Sequence, residues 1–180
     1  MLYITRLFYK LFRKEKPMET EPNVLGRVSS VDFAIYLTHK AIEKGISINV
    51  TKLQKLLYLC YGLYLAATNE QLLDVRPQAW YYGPFFPNIH RIQKSNKDTL
   101  ENLVHRINLE DFAEFDYIIV PILEHFGNWS ASELVNWTHE KGMAWDKKYN
   151  IQNEKHTSLD NFDIISDFEK FIVREGTNAV

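Results

Sequence analysis

The sequence predicts an all-α fold: a single, predominantly helical domain of about seven helices, with at most a minor β element near residues 78–82. Apolar residues recur at three- and four-residue spacing along most of the chain, which is the period of an amphipathic helix. Hydrophobic residues make up 46% of the 180 residues, enough to bury one sizeable core. Seven glycines and six prolines are too few for a β-sandwich or a low-complexity chain.

The N-terminal 28 residues are predicted to form a basic amphipathic leader and a linker. Residues 1–16 hold five basic residues against one acid, whereas the whole chain has a net charge of −2. A helix in this segment can lie on an anionic membrane, bind a partner or dock onto its own domain. Residues 17–28 carry two prolines, two glutamates and a glycine without periodicity, so the folded domain is expected to span residues 29–176. The apolar contact residues of the leader are Leu7, Phe8, Leu11 and Phe12.

Two long helices follow the linker. The first is predicted to begin at Ser29 or the next residue, because serine caps helix starts well, and to end at Gly45. The second is predicted to open with a capping box of Thr51 and Gln54 and to end at Asn69. Its apolar residues cover much of its circumference, so we expect this helix to lie in the middle of the core.

Five aromatic residues surround the next turn. Residues 78–82 are predicted to be a short extended piece, because aromatic side chains favour half-buried strand positions. Gly83 and Pro84 are predicted to form the turn itself. The aromatic residues around it form either a core plug or a recognition surface.

The second half of the chain continues the helical pattern. Pro121 is expected to kink or restart the helix that contains it, because proline removes an intrahelical hydrogen bond. Residues 146–158 are polar and are predicted to be a solvated loop. The predicted helices run from Pro84 or Pro87 to about residue 95, over 99–109, over 110–126, from a capping box of Ser130 and Glu133, and through Ile164 to Ile172.

The residue pattern gives no positive indication of catalysis. Six histidines each stand alone, without the spacing that directs two ligands from one helical face, so no metal site is predicted. Cys60 is the only cysteine and lies on the apolar face of the central helix, so it is expected to be a buried, inert residue. The sequence contains neither a G-x-S-x-G elbow nor a glycine-rich phosphate loop. We therefore expect a protein that is not an enzyme and that carries no cofactor.

Nucleic-acid binding and membrane insertion are both disfavoured. Arg91, Lys94 and Lys97 form a basic stripe at three-residue spacing, which would suit a DNA-reading helix, but the acidic body opposes the approach of phosphates. The chain lacks an apolar run of the ~20 residues needed to cross a bilayer. A single unpaired cysteine fits a reducing compartment, so a cytoplasmic location is expected.

Several short motifs, taken together, resemble the Panacea domain of the SocA-like antitoxin family. They are L-Q-K-L-L-Y at 53–58, A-W-x-Y-G-P at 79–84 and S-A-x-E-L at 130–134, followed by Thr138-His139 and Ala144-Trp145. Their order and spacing extend the resemblance over about residues 30–146. The motif residues interpreted as family scaffold are Leu53, Lys55, Leu56, Tyr58, Tyr61, Trp80, Gly83, Pro84, Leu134, His139 and Trp145.

The resemblance implies a non-catalytic interaction protein. Members of this family are antitoxins of type II-like toxin–antitoxin pairs, often on prophages and other mobile elements, and they neutralise a protein toxin by direct binding. The toxin is then expected to be the product of an adjacent gene. Exposed Tyr81, Phe85 and Phe86, and the apolar residues of the leader, are the candidate toxin-binding residues. Two alternatives remain: an adaptor that delivers a client to a cytoplasmic AAA+ protease, and a DNA-binding repressor of a mobile-element operon.

Overall fold

The computed structural model describes residues 26–95 and 100–172, and these residues are mostly helical with one small two-stranded sheet. The predicted fold class is therefore confirmed. Lys97 and the four apolar residues of the leader lie outside the described residues. The helices are α1 (Ser30–Glu43), α2 (Val50–Thr68), α3 (Pro87–Ser95), α4 (Asp116–Phe126), α5 (Ala131–Thr138), α6 (Ala144–Asp146) and α7 (Asn161–Glu169), with 3-10 helices at Leu100–Arg106 and Leu109–Phe115 and a π-helical turn at Lys147–Ile151.

Helix α2 is the axis of the core, as its all-round apolar character predicts. Every residue from Lys52 to Ala67 is buried. Helices α1, α4, α5 and α7 and the β-hairpin pack around it. Burial of apolar surface stabilises a fold by about 25 cal/mol per Å², so the buried apolar residues of this helix contribute to the stability of the core. Its polar side chains are also buried, so they must find hydrogen-bond partners inside the protein.

The start of α2 differs from the prediction. Asn49 precedes the helix, and its side chain accepts a hydrogen bond of 2.9 Å from the amide of Lys52. Asparagine is as good an N-cap as threonine, and it stands two residues earlier. The predicted capping box of Thr51 and Gln54 is therefore wrong, and the Gln54 side chain is used elsewhere.

Other helix boundaries agree with the sequence prediction. The hydroxyl of Ser29 accepts a hydrogen bond from the amide of Asp32 at the start of α1. Asn69 ends α2 in the left-handed conformation, with φ of 59°. Ser130 and Glu133 form the predicted capping box at the start of α5. These boundaries are local features, so the local sequence is sufficient to predict them.

The segment predicted as helices 99–109 and 110–126 is divided differently. Two 3-10 helices, Leu100–Arg106 and Leu109–Phe115, precede α4, which starts at Asp116. Pro121 lies inside α4, so the change of helix type occurs at Asp116 instead of at the proline. Pro121 is the sixth residue of α4, beyond the first turn, so the helix continues through it with one intrahelical hydrogen bond missing.

The aromatic turn is a β-hairpin with its turn two residues earlier than predicted. Strands β1 (Gln78–Trp80) and β2 (Gly83–Phe85) pair antiparallel, with Trp80 opposite Gly83. The turn therefore consists of Tyr81 and Tyr82, and the predicted turn at Gly83 and Pro84 is wrong. Gly83 instead starts β2 with φ of +96°, a conformation that glycine adopts without strain.

The chain just before α1 belongs to the folded unit. Val28 forms a parallel bridge with Leu73, and the amide of Asp74 donates to the Val28 carbonyl over 2.9 Å. A side chain at Gly26 would place its Cβ 2.2 Å from the carbonyl oxygen of Leu73, so this close approach requires glycine. Residues 26–28 are thus part of the fold, although the sequence assigned them to the linker. Within the described residues no helix combines the length and the apolarity that a membrane crossing requires.

Candidate interaction site

The hairpin turn presents two tyrosines to solvent. Tyr81 is 67% exposed and Tyr82 is 65% exposed, and their rings meet edge to face with centroids 4.8 Å apart. Tyrosine is enriched at protein interfaces because it combines a large apolar ring with a polar hydroxyl. We call Tyr81 and Tyr82 the tyrosine tip.

The outer edge of β2 is fixed to the core by two polar side chains of α2. Lys55 donates from Nζ to the carbonyl of Pro84 over 2.9 Å. Gln54 contacts both backbone groups of Phe86: its Oε1 accepts from the amide at 2.7 Å and its Nε2 donates to the carbonyl at 3.3 Å. Lys55 is 1% exposed and Gln54 is fully buried, so this edge is closed to pairing with another strand.

The outer edge of β1 is closed by the segment that follows the π-helical turn. The amide of Ala79 donates to Thr157 over 2.9 Å, and the amide of His156 donates back to Ala79 over 2.8 Å. One step further along, the amide of Leu159 donates to the carbonyl of Pro77. Backbone hydrogen bonds therefore hold both edges, and the turn is the part of the hairpin that reaches furthest into solvent.

A stack of three rings supports the base of the turn. The rings of His139 and Trp145 lie 3.6 Å apart and are nearly parallel, at 5°. Tyr149 stacks on the same indole at 4.8 Å and 14°. The indole Nε1 of Trp145 donates to the carbonyl of Trp80 over 2.8 Å, directly before the tyrosine tip. The stack thus fixes the point at which β1 enters the turn.

Two titratable groups lie buried beneath the hairpin. Burial lowers the pKa of Lys55 to about 7. Burial and, to a smaller extent, the nearby Lys55 charge lower the pKa of His139 to about 4, whereas Asp146 acts in the opposite direction. The buried Nε2 of His139 has no hydrogen-bond partner among the described residues. Lowered pKa values are common in catalytic sites, but the amine of Lys55 contacts the hairpin backbone, so its geometry supports positioning of the hairpin.

The three aromatic residues of the hairpin that were predicted to bind a partner differ in their exposure to solvent. Tyr81 is exposed as expected, whereas Phe85 is half-buried with its ring 4.7 Å from that of Trp80. Phe86 is fully buried against Tyr61, with ring centroids 6.1 Å apart, so its predicted exposure is wrong. The cause is the position of the turn. It lies two residues earlier in the chain than predicted, which exposes Tyr81 and Tyr82 and places Phe86 in the core.

The predicted scaffold residues lie in or beside the core. Trp80 and His139 are half-buried, whereas the others are buried: Leu53, Lys55, Leu56, Tyr58, Tyr61, Gly83, Pro84, Leu134 and Trp145. Cys60 is fully buried, and burial raises the pKa of its thiol, as expected for an inert cysteine. Across residues 26–95 and 100–172, no three histidine, cysteine or acidic side chains are grouped so that they could hold a metal ion.

Sequence reasoning missed four residues that build this site: Tyr82, Gln54, Tyr149 and His156. A signal existed only for Tyr82, because a two-residue turn followed by glycine is a common hairpin pattern and would have exposed both tyrosines. The other three act through contacts with residues distant in sequence, which a local pattern does not reveal.

Two of the three cations of the predicted basic stripe lie among the residues that the structure describes. Arg91 and Lys94 are exposed on α3, and their helix follows the hairpin directly. The neighbouring His90 contacts Phe85, with ring centroids 5.5 Å apart. Helix α3 therefore contacts the outer face of the hairpin through His90.

Most of the residues that build the site fall in one region that matches a protein family. Residues 53–146 match the protein family described as Antitoxin SocA-like, Panacea domain, and this region is just over half of the 180-residue chain. It contains Lys55, the whole hairpin, His139 and Trp145. The chain is also similar to a protein named Antitoxin SocA from Caulobacter vibrioides (strain NA1000 / CB15N), at 30% identity over 123 residues.

That alignment covers 61% of this chain and 64% of the relative, so it spans less than two thirds of the relative's length. No solved structure matches the chain. The family match and the motifs that carry it cover α2, the hairpin and the helices up to Asp146, so the chain belongs to the Antitoxin SocA-like, Panacea domain family.

Proposed function

We propose that this protein is a cytoplasmic antitoxin that neutralises a protein toxin by direct binding, with the tyrosine tip at the centre of the contact. The family supports the antitoxin role, since the relative from Caulobacter vibrioides is itself named as an antitoxin. The observation that carries the proposal is the exposure of Tyr81 and Tyr82 on a hairpin whose two edges are both held. Neutralisation by binding requires neither a catalytic group nor a cofactor.

The manner in which the hairpin is held favours binding. An association loses free energy when loops and side chains become ordered, and a prearranged surface avoids much of that loss. Here Lys55, Gln54 and Trp145 fix the hairpin backbone from below, and residues 156–159 fix it from the side. The tip is therefore ordered before the partner arrives. In such an interface a small number of buried residues, often tyrosines, typically supply most of the binding free energy.

The test is co-expression with the product of the neighbouring gene, scored by growth and by co-purification. The wild-type protein should rescue growth and form a stoichiometric complex. The double variant Tyr81→Ser/Tyr82→Ser should weaken the complex about a hundredfold, because truncation of two central tyrosines removes hot-spot contacts. Its free energy of unfolding should change by no more than about 0.5 kcal/mol, because both side chains are exposed.

A matched control removes exposed apolar side chains elsewhere. Ile42 at the end of α1 is 44% exposed and Phe162 in α7 is 58% exposed, so Ile42→Ser/Phe162→Ser should leave the complex intact. A tip variant that binds as tightly as wild type would contradict the assigned contact. If the wild-type protein gives neither rescue nor complex, the antitoxin proposal fails.

The same co-expression separates the two alternative functions. A protease adaptor would lower the cellular level of its client instead of holding it in a stable complex. A repressor would bind its operator, and replacement of Arg91, Lys94 and Lys97 by alanine would weaken that binding and flatten its salt dependence.

A further inference from the structure

One face of the hairpin carries a continuous row of rings. Side chains alternate between the two faces of a strand. The residues next to Trp80 and Phe85 within their strands are buried on the inner face, so Trp80 and Phe85 lie on the outer face. Their ring centroids are 4.7 Å apart. His156 extends the row beyond Trp80, at 4.4 Å, and His90 extends it beyond Phe85, at 5.5 Å. The row thus joins the hairpin and the start of α3 to His156, which is distant from both in sequence.

A lysine stands at each end of the row. Lys94 follows His90 by four residues in α3, so the two side chains share one face of that helix. Lys155 precedes His156, and its Nζ lies 5.0 Å from the centroid of the Tyr149 ring. Both lysines are exposed, and neither has an acidic partner among the described residues. We call Trp80, Phe85, His90, Lys94, Lys155 and His156 the cationic aromatic band.

Acidic residues are scarce in the sequence that forms the hairpin and α3. Between Asp74 and Asp98 the sequence contains no acidic residue, although it contains four basic ones, and the whole chain has a net charge of −2. Glu154 is the acid nearest in sequence to Lys155, and its carboxylate is paired with Lys148 at 2.6 Å. Within the described residues the two lysines are therefore not paired with an acid, in a protein that is acidic overall, so they can attract and orient an anionic partner.

We infer that the partner protein enters with an acidic segment that lies across the cationic aromatic band, beside the tyrosine tip. This inference rests on the proposed function, since it takes the toxin as the partner. Carboxylates of the segment pair with Lys94 and Lys155, and an apolar side chain between them contacts the exposed parts of the Trp80 and Phe85 rings, which are both half-buried. The band thereby selects the charge of the partner, whereas the tip contributes apolar contact area.

A polypeptide fits the band better than a nucleic acid does. A base stacks on a free ring face, whereas the Trp80 ring is already packed against Phe85 and His156. Phosphate binding also benefits from many cations and a positive protein, and here two lysines act within a chain of net negative charge. Nucleic-acid binding is consequently a competing outcome of the test.

The first experiment probes the band without any toxin. A short disordered peptide of glutamates with a single leucine is titrated into ¹⁵N-labelled full-length protein, and the indole N–H signal of Trp80 is followed by NMR. This group donates to Gln78 in the free protein, so it reports on changes at the band. We expect the acidic peptide to shift this signal at low salt and to lose its effect at high salt. The same peptide with lysine at every glutamate position should cause no shift.

The second experiment measures binding of the neighbouring gene product. The double variant Lys94→Glu/Lys155→Glu is compared with Arg106→Glu/Lys170→Glu, which changes the net charge equally at exposed sites outside the band. Reversal of the two band charges should weaken the complex about tenfold and make its affinity less sensitive to salt. The control pair should bind within about twofold of wild type.

The outcomes separate the two proposals. A shift caused by oligothymidylate and not by the acidic peptide, or no shift with either, overturns the inference. So does a toxin complex that is equally stable with the band variant and the control variant. If the wild-type protein forms no complex, the antitoxin function is what fails, and the peptide titration still decides whether the band binds acidic chains.

Discussion

Lys55 and Gln54 are matched to the backbone groups that they contact. Pro84 has no N–H, so the outer edge of β2 offers only a carbonyl there, and the Lys55 ammonium is a donor without acceptor capacity. Phe86 offers both an N–H and a carbonyl, and the Gln54 carboxamide supplies one acceptor and one donor. The two side chains therefore satisfy buried groups that an apolar helix face would leave unpaired.

The pH dependence of stability tests the buried state of Lys55. Its pKa is about 7 in the folded protein, below the ~10.4 of a free lysine, so between these values the unfolded chain binds more protons than the native one. The free energy of unfolding should therefore rise with pH across this window, by up to about 1.4 kcal/mol per pH unit. Lys55→Met should lose this rise. Urea unfolding of both proteins at several pH values between 7 and 10 measures the difference, and parallel profiles would show that the amine remains solvated.

At the scale of elements, the sequence predicts what is local and misses what is tertiary. Serine and asparagine caps and the apolar period locate α1, the end of α2 and the start of α5. The sequence prediction places the turn at Gly83 and Pro84, because a Gly-Pro pair is a stronger turn signal than two tyrosines followed by glycine. The glycine is instead required immediately after the turn, for its positive φ. The tethers from Gln54 and Trp145 join distant positions, so only the folded structure reveals them.

The contact between α2 and α7 should tolerate no additional atoms at Gly62. A Cβ there would lie 2.2 Å from the ring of Phe168, which is itself fully buried. Alanine gains about 1 kcal/mol of helix propensity over glycine, but overpacking a core costs about 1–3 kcal/mol or more. We expect Gly62→Ala to lower the free energy of unfolding by up to about 2 kcal/mol net, as measured in urea.

A second substitution tests whether the loss of stability in Gly62→Ala comes from a clash with the Phe168 ring. Phe168→Leu should itself be destabilising, because it removes ring contacts with Tyr58 and Trp137. The double variant Gly62→Ala/Phe168→Leu should nevertheless lose less free energy of unfolding than the two single variants lose together, since the smaller side chain makes room for the methyl group. Strict additivity would show that the two residues do not clash.

At the scale of the whole molecule, the region that matches the family is not a complete core. Residues 53–146 contain most of α2 and the hairpin, but α1 and α7 lie outside them and pack on α2. Phe33 and Phe168 from those outer helices are fully buried. Most of the site is thus built within the matched region, and the surrounding helices keep its central helix buried. The band likewise takes Lys155 and His156 from outside that region.

The segment before α1 provides a test of how far this supporting structure extends. Truncation before Gly26 retains the Val28–Leu73 bridge, whereas truncation before Ser29 removes it together with the hydrogen bond from Arg27 to the Tyr64 hydroxyl. The second protein should have a free energy of unfolding lower by about 1–3 kcal/mol, because backbone groups paired with residues 26–28 lose their partners. Urea unfolding compares the two chains, and hydrogen exchange at the amide of Asp74, which donates to Val28, reports the local loss. Equal stability and equal protection in both chains would place the boundary of the folded unit at Ser29, as the composition of residues 17–28 predicts.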